Sequence, residues 1–572
     1  MTTQALLALD LLTTILVAAA WVGAAVMTVG RRGRAGTVAV TVAALVLTVL
    51  RVVLVVLLAR RGWPMAQEKA LLALPLLVLP AVAVVALHRR SSSPVIAAAC
   101  GSVAGLVVAF AVGYPATLFN GVIVVALAAS AFLFIAGYLR PLAIGLLAGA
   151  LLAGPGSALL TTLTAPIHGL DASGLRLAAA SGPVTRFELT AGRLASGAWG
   201  FNGQTPGPVL RAHQGDTIEV VLHNADISEG VTLHWHGYPV PNGDDGVAGV
   251  TQEAVMPGQE FVYRFAANKA GTFWYHTHQL SHIGVKKGLF GALIVEPSRA
   301  AAEQELIVYA HRLVTQPVSQ QVAAGTPIIL RLVNADDVTH RFLLTGVSWR
   351  LTAVDGNDVG EPSAETGKAL RLTAGGRYDV RFTMPGGPVQ VGLDGRPRLG
   401  LSAPAAAVDM RVPDLDLFAY GSPDAAEPGH FDREYTVVLD RQLRLLGSLP
   451  SYAYTVNGRT WPQAPELTVR EGELVKLTVV NRDREAHPIH PHGHQVMVLS
   501  RDGQAPAGSP LWMDSFEVLP GQTWEVALHA DNPGVWMAHC HNLTHAAQGM
   551  MLHLRYAELA VNFRHHGDNH PE

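Results

Sequence analysis

Six apolar runs crowd into the first 165 residues, and no other feature limits the fold as strongly. They cover about residues 5–29, 37–59, 70–87, 94–113, 119–138 and 141–160. A helix needs about 20 apolar residues to cross the hydrocarbon core of a bilayer, so each run reads as one span. A cleaved secretory peptide has a single short apolar region, which six runs do not fit. A twin-arginine export signal starting at Arg31-Arg32 fits no better, because its apolar region would be too long and more spans follow. Charge separates this region from the rest. Residues 1–165 hold ten Lys/Arg and two Asp/Glu out of the chain's 41 and 44, so the two parts carry about +8 and −11. The overall figures of 49% apolar and 15% charged therefore average two unlike stretches. They exclude a disordered chain, and no basic stripe suggests a nucleic-acid partner. Two cysteines allow at most one disulfide.

Short-loop positive charge sets the expected orientation. Arg31, Arg32, Arg34, Arg89, Arg90 and Arg140 fall in the first, third and fifth loops. Arg60, Arg61 and Lys69 fall in the second, and the fourth has none. The odd loops then lie inside, and the N-terminus and everything after the sixth span lie outside the cytoplasm. Asp10 and Arg51 are the ionisable residues within spans. They read as a structural ion pair, with Asp10 near the surface as the other option. No Met, His or Cys recurs across the spans as a metal permease would need.

After Thr164 the texture changes to short β-rich runs between Gly, Pro, Asn and Asp turns. A pattern recurs three times. Gly215–Asn224 with Met256–Phe265, Gly325–Asn334 with Ala374–Phe382, and Gly472–Asn481 with Leu519–Leu528 each read as a G-x-x-I/V strand ending in Asn, then a turn and a second strand. Three copies imply three similar β-sandwich domains. The expected boundaries are a membrane domain over 1–165, β domains over 172–298, 299–428 and 429–560, and a His-containing tail over 561–572.

The chemistry sits in copies one and three. Copy one holds H-W-H-G (His234, His236) and Y-H-T-H (His276, His278); copy three holds H-P-I-H-P-H-G-H (His487, His490, His492, His494) and H-C-H-N-L-T-H-A-A-Q-G-M (His539 to Met550). Copy two has only His340 at the comparable place. Residues two apart on a strand share a face, so each H-x-H aims two imidazoles at one spot. Four such pairs give eight imidazoles, too many for one ion and suited to a cluster between domains one and three. Cys540 points away from His539 and His541 and can bind a separate metal. A Cys thiolate, two His and a weak Met make a blue-copper electron-transfer site, with His487, His545 and Met550 supplying the rest.

With these motifs at these spacings, residues 175–558 resemble a three-domain, laccase-like multicopper oxidase. N-G-Q-T-P-G-P at Asn202–Pro208 and D-G-V-A-G-V-T-Q at Asp245–Gln252 resemble the family's first domain. The resemblance implies an all-β fold of three cupredoxin-like sandwiches, here preceded by an α-helical membrane domain of about six spans. It implies four coppers. His487, Cys540, His545 and Met550 match the type 1 ligands. His234 and His490 match type 2, and His236, His276, His278, His492, His539 and His541 match the type 3 pair. It implies dioxygen as oxidant and a phenolic, aromatic or metal-ion reductant. A copper-detoxifying cuprous oxidase and a non-catalytic copper carrier or sensor are the alternatives; a nitrite reductase would need neither H-C-H nor eight cluster imidazoles. Asp245 matches the family's proton-delivering acid, with a plain turn cap as its other reading. The second acid common in relatives is missing from residues 542–547.

The remaining residues are expected to be ordinary. His494 and His282 match no ligand position. Asp514, in W-M-D-S, is either a substrate contact near the type 1 site or an exposed turn acid. His565, His566 and His570 read as a frayed terminus, and Cys100 as a small apolar residue in a span.

Overall fold

The computed structural model describes the chain except residues 31–32, 88–90, 138–140, 147, 150–174, 177–181, 299–301, 424–428, 447–448 and 560–568. The expected joints near 165, 298 and 428 and most of the positive loop residues therefore lie outside the described residues, as do His565 and His566. Among the described residues, five helices are long and apolar enough to cross a membrane: Thr3–Val29, Arg34–Ala59, Lys69–Leu87, Ser93–Val112 and Leu118–Ile135. Of the sixth run, residues 141–146 are helical, and nearly all the rest lies outside the described residues.

The bundle turns its few polar side chains inward and leaves its outward Val and Leu exposed, as Val46, Val49, Leu79 and Val82 do. A lipid-facing surface has this composition, since no water is present there to solvate polar groups. Asp10 and Arg51 are buried and paired at 3.7 Å. The ion-pair reading therefore stands, and a surface position for Asp10 does not.

Residues 184 onward form six β-sheets, two for each copy of the repeat. Each repeat strand lies in the same local frame. Thr217–Asn224, Pro327–Asn334 and Leu474–Asn481 each pair parallel with an earlier strand on one side. On the other side each pairs antiparallel with the second segment of its copy. The Asn that ends each copy explains its recurrence. Asn224, Asn334 and Asn481 each donate from Nδ2 to two main-chain carbonyls, fastening the loop that leaves the strand. Buried carbonyls need such donors. Apolar side chains of the paired sheets fill each sandwich, in a core around Leu222, Trp235 and Phe265 in the first. The second and third sandwiches share a continuous core that includes Leu330, Phe342, Val479 and Trp536.

The third sandwich sits on one end of the helical bundle. Leu6, Leu54, Leu58 and Met65 of the bundle cluster with Val438 and Val480. The backbone passes so closely at Gly113 (φ +63°) that a Cβ would lie 1.4 Å from Gln442 Nε2, which only glycine avoids. Arg444 donates to the carbonyls of Ala111 and Val112. The N-terminus and the second and fourth loops thus all meet the β part.

His340 of copy two is held by Asp336 at 3.3 Å and Asp394 at 2.6 Å, in a carboxylate environment. Burial opposes its charge, yet the two carboxylates push its pKa up to about 9 from 6.5. A raised folded-state pKa stabilises most below the unfolded value and is lost as pH rises through the folded one. Urea unfolding should show this contribution intact at pH 6 and fading between about pH 6.5 and 9. His340→Gln should remove that slope; an unchanged slope would disprove the assignment.

Candidate metal centres

Strand register brings the histidines together. His234–His236 pairs with Gly271–His276 so that His234 faces His276. In the third sandwich His487–Pro491 pairs with Val535–Cys540 so that His490 faces His539 and Ile489 faces Cys540. Positions 487 and 490 are three apart and so lie on opposite faces of their strand. One strand therefore presents His490 to the first sandwich and His487 to its own core. Asn242 locks the two sandwiches by exchanging side-chain hydrogen bonds with the backbone of Val535.

The eight imidazoles separate into three groups. His234 and His490 approach to 3.4 Å between Nε2 atoms. His236, His276 and His541 form a second group, and His278, His492 and His539 a third, each with its ligand atoms within 4.8 Å of one another. All eight are buried. Burial, with the neighbouring imidazoles, holds His276, His490 and His541 well below the usual histidine range, and His539 at about 3. These four rings are therefore neutral and offer lone pairs. Nε2 of His276, both nitrogens of His541, and Nδ1 of His236 and of His278 are buried without a hydrogen-bond partner. Orphaned buried nitrogens are costly in a protein core and normal in a metal site.

A fourth group lies on the other face of the Cys540 strand. Cys540 Sγ is 3.7 Å from Nδ1 of His487 and of His545, and those nitrogens are 3.1 Å apart. A triangle with these sides has its centre about 2.0 Å from each corner, within the usual range of first-row metal bonds to N and S. Met550 and Cys540 both line an apolar cavity of about 40 Å³ at this place. Burial pushes the Cys540 thiol up and holds His545 at about 3, so only a bound cation would keep a thiolate here. The donor set fits a blue-copper ion.

Several contacts correct or extend the sequence reading. Asp245 does not act as a turn cap. Its Oδ2 bonds His492 Nδ1 at 3.0 Å and its main-chain carbonyl bonds His234 Nδ1 at 2.9 Å, so one residue braces two groups, with Oδ1 also 3.1 Å from His234 Nδ1. Asp514 is neither an exposed turn acid nor a contact of the type 1 site. It is fully buried and chelated by Arg377 at 2.6 and 2.7 Å, and lies 3.4 Å from His236 Nε2. Arg377 and Asp355 come from the second sandwich; burial and the Asp514 charge push Asp355 up to about 7. Gly375 (φ +83°) lets that domain's backbone press on His236, where a Cβ would sit 2.8 Å from the ring. A domain without ligands thus still shapes the cluster, which its lone His340 could not reveal.

The last residues are docked, not frayed. His570 donates from its backbone to Gln279 and accepts from Leu280, both 2.8 Å, beside the Y-H-T-H motif. Glu572 is buried against Ser281, 3.2 Å from His539 Nδ1 and 3.5 Å from His278 Nε2. Burial pushes its carboxyl up to about 8. The pairing depends on a fold contact across some 290 positions, and no local pattern announces it. His494 is buried and bonded to Tyr556, as a non-ligand.

A three-atom N₂S donor set and eight converging imidazoles in one β protein define a class: an enzyme with a mononuclear and a multinuclear copper centre. Comparison with known proteins agrees. Two family profiles described as multicopper oxidase match residues 185–300 and 435–559. A multicopper oxidase of Mycobacterium tuberculosis, MmcO, is 28% identical over 437 residues, covering 62% of this chain and 82% of that one. Laccase-2 of Podospora anserina is 26% identical, covering 64% and 75%. The crystal structure of a multi-copper oxidase from Pseudomonas thermotolerans superposes with a TM-score of 0.54 at 28% identity, covering 66% of this chain and all of that one. These matches support a laccase-like multicopper oxidase, an oxidoreductase acting with dioxygen, and the histidine groups match the four-copper arrangement standard for that family.

Replacing Cys540 by Ser should abolish the intense blue band of the copper-loaded protein. About three of the four coppers should remain by metal analysis, because the histidine groups on the other face keep their ligands. A surviving blue band would place the thiolate site elsewhere.

Proposed function

We propose that this chain is a membrane-tethered multicopper oxidase working outside the cytoplasm, which couples one-electron oxidation of a phenolic, aromatic or metal-ion donor to four-electron reduction of dioxygen to water. The single observation that carries this reading is the Cys540 strand. It has a buried Sγ among His487 and His545 on one face and His539 and His541 among six other imidazoles on the opposite face. His487, Cys540 and His545, with Met550 lining the same cavity, would hold the type 1 ion. His234 and His490 would hold type 2; His236, His276 and His541, and His278, His492 and His539, would hold the type 3 pair. Bound in these sites, copper supplies the one-electron oxidation of the donor and the four-electron chemistry with dioxygen.

The chain's own groups do the rest. The backbone of Cys540 joins the thiol to both flanking imidazoles through a few covalent bonds. Burial keeps bulky donors from the histidine groups. At the thiol end, the edge of His545 is bonded at Nε2 to Glu485, a carboxylate left 47% exposed on its side-chain surface. Such a group attracts a metal cation or accepts a phenol proton, which supports both donor classes. Relatives named iron transport multicopper oxidase and laccase point the same way for their own chains. Asp245 orients His234 and His492 and is the acid placed to pass protons inward. Tethering rests on the five long apolar helices. The outward orientation is supported by their N-terminus and even loops meeting the β part.

Oxygen uptake by the copper-loaded, full-length protein should consume four equivalents of a one-electron donor per dioxygen without releasing peroxide. Stoichiometric peroxide, or no uptake, would overturn the oxidase reading. Asp245→Asn keeps the shape but removes the titratable group. The blue band should stay, with turnover down roughly 10²-fold; turnover within about threefold of the parent over pH 5–8 would leave Asp245 only an orienting role. A reporter active only outside the cytoplasm, fused after residue 165, should be active; activity restricted to a cytoplasmic reporter would reverse the topology.

A further inference from the structure

One five-residue loop touches both imidazoles of the proposed type 1 site and, through another side chain, the helical bundle. The loop is Asn481-Arg482-Asp483-Arg484-Glu485, between the strands Leu474–Asn481 and His487–Pro491. Asp483 Oδ2 lies 3.1 Å from Nε2 of His487. Glu485 Oε2 lies 3.0 Å from Nε2 of His545, and Glu485 also takes hydrogen bonds from Arg441 and from Tyr454, whose ring stacks on His545. Each imidazole thus has one nitrogen turned toward Cys540 and the other held by a carboxylate of this loop.

Arg482 points the opposite way, out of the sandwich and into the bundle. Its guanidinium forks onto both oxygens of Glu68 at 2.5 and 2.9 Å, and also bonds the carbonyl of Pro64. Asp440 lies 3.4 Å from its Nε. Glu68 is buried just ahead of the helix Lys69–Leu87, with Lys69 on its other side. Apolar side chains of both parts, Leu58 and Met65 with Val438 and Val480 among them, cluster at the same junction. A buried bidentate Arg–carboxylate pair fixes geometry as much as it binds, and breaking one partner leaves an uncompensated charge. That charge would stand one residue from the carboxylate that holds His487.

We propose that the helical region is a positioning element of the type 1 centre: Glu68, through Arg482, holds the 481–485 loop so that Asp483 keeps its hydrogen bond to His487. Glu68 and Arg482 are positioning residues. They touch no copper ligand and act through Asp483. A carboxylate on the outer nitrogen makes an imidazole a stronger donor and favours the oxidised ion. Without Glu68, Arg482 keeps only Asp440, 3.4 Å from its Nε, and no longer anchors the loop to the bundle, so Asp483, the next residue, is free to shift. His487 then loses part of its partner, and the reduction potential of the blue site rises. The inference rests on the type 1 assignment made above.

The test is a redox titration of the blue band in full-length, copper-loaded protein in detergent or nanodiscs. Glu68→Gln should raise the midpoint potential and alter the type 1 EPR signal while leaving copper content unchanged. Asp483→Asn should raise the potential as well, and adding Glu68→Gln to it should give no further shift, since both act on one hydrogen bond. Arg444→Gln breaks a different contact with the bundle and should leave the potential where it was. If Glu68→Gln yields too little folded protein, Arg482→Lys, which keeps the charge but loses the fork, should give a smaller shift of the same sign. An unchanged potential in the folded variant, an equal shift from Arg444→Gln, or full additivity with Asp483→Asn would each overturn the proposal. A parent protein with no blue band to titrate would instead overturn the type 1 assignment itself.

Discussion

The alternation of side chains along one strand is the constraint on which this molecule depends. Val535–Cys540 continues into His541, and in it an odd position faces the first sandwich while the even position between faces the third sandwich's own core. Two chemically different donor sets are therefore separated by the thickness of a backbone. Neither can shift without the other, because a slip of one residue would exchange the thiol for an imidazole on both faces at once. Pairing with His487–Pro491 repeats the arrangement, since the three-residue spacing from His487 to His490 also splits the two faces.

Around that strand, burial does the electrostatic work. Eight imidazoles share one interior, and burial with the neighbouring imidazoles holds rings such as His278 and His492 well below the usual histidine range. Asp245 holds outer nitrogens, that of His492 with its carboxylate and that of His234 with its main-chain carbonyl. Asp483 and Glu485 do the same at the mononuclear group. The inner nitrogens are left as lone-pair donors, and the outer ones fix ring orientation. This division of labour is general in metal sites. The second sandwich acts one step further out, with Arg377 holding Asp514 and Gly375 pressing on His236.

Much of this was legible in the chain itself, for local reasons. The H-x-H and H-C-H motifs carry their geometry in their spacing, because strand periodicity is a short-range property. The three repeat segments also map onto strands paired alike in each copy. Asp514 was misread because its environment is made by Arg377, 137 positions away. The docking of Glu572 against Ser281 spans 291 positions and was equally silent. Asp483 and Glu485 had a faint signal, lying four and two residues before His487, but acidic residues after a strand are more often solvated. The ion pair of Arg482 with Glu68 joins regions that look independent in composition, and only the fold reveals it.

The distribution of ligands over two sandwiches has a thermodynamic consequence. Four imidazoles come from residues 234–278 and four from residues 490–541, and each group of three draws on both. An ion bound to such a group is also a cross-link, and its binding free energy appears in the equilibrium between closed and open arrangements of the two domains. Metal supply then governs more than whether the enzyme can react. It sets how long the outer sandwiches stay apposed, and hence how readily the buried faces of both meet water, proteases or other chains.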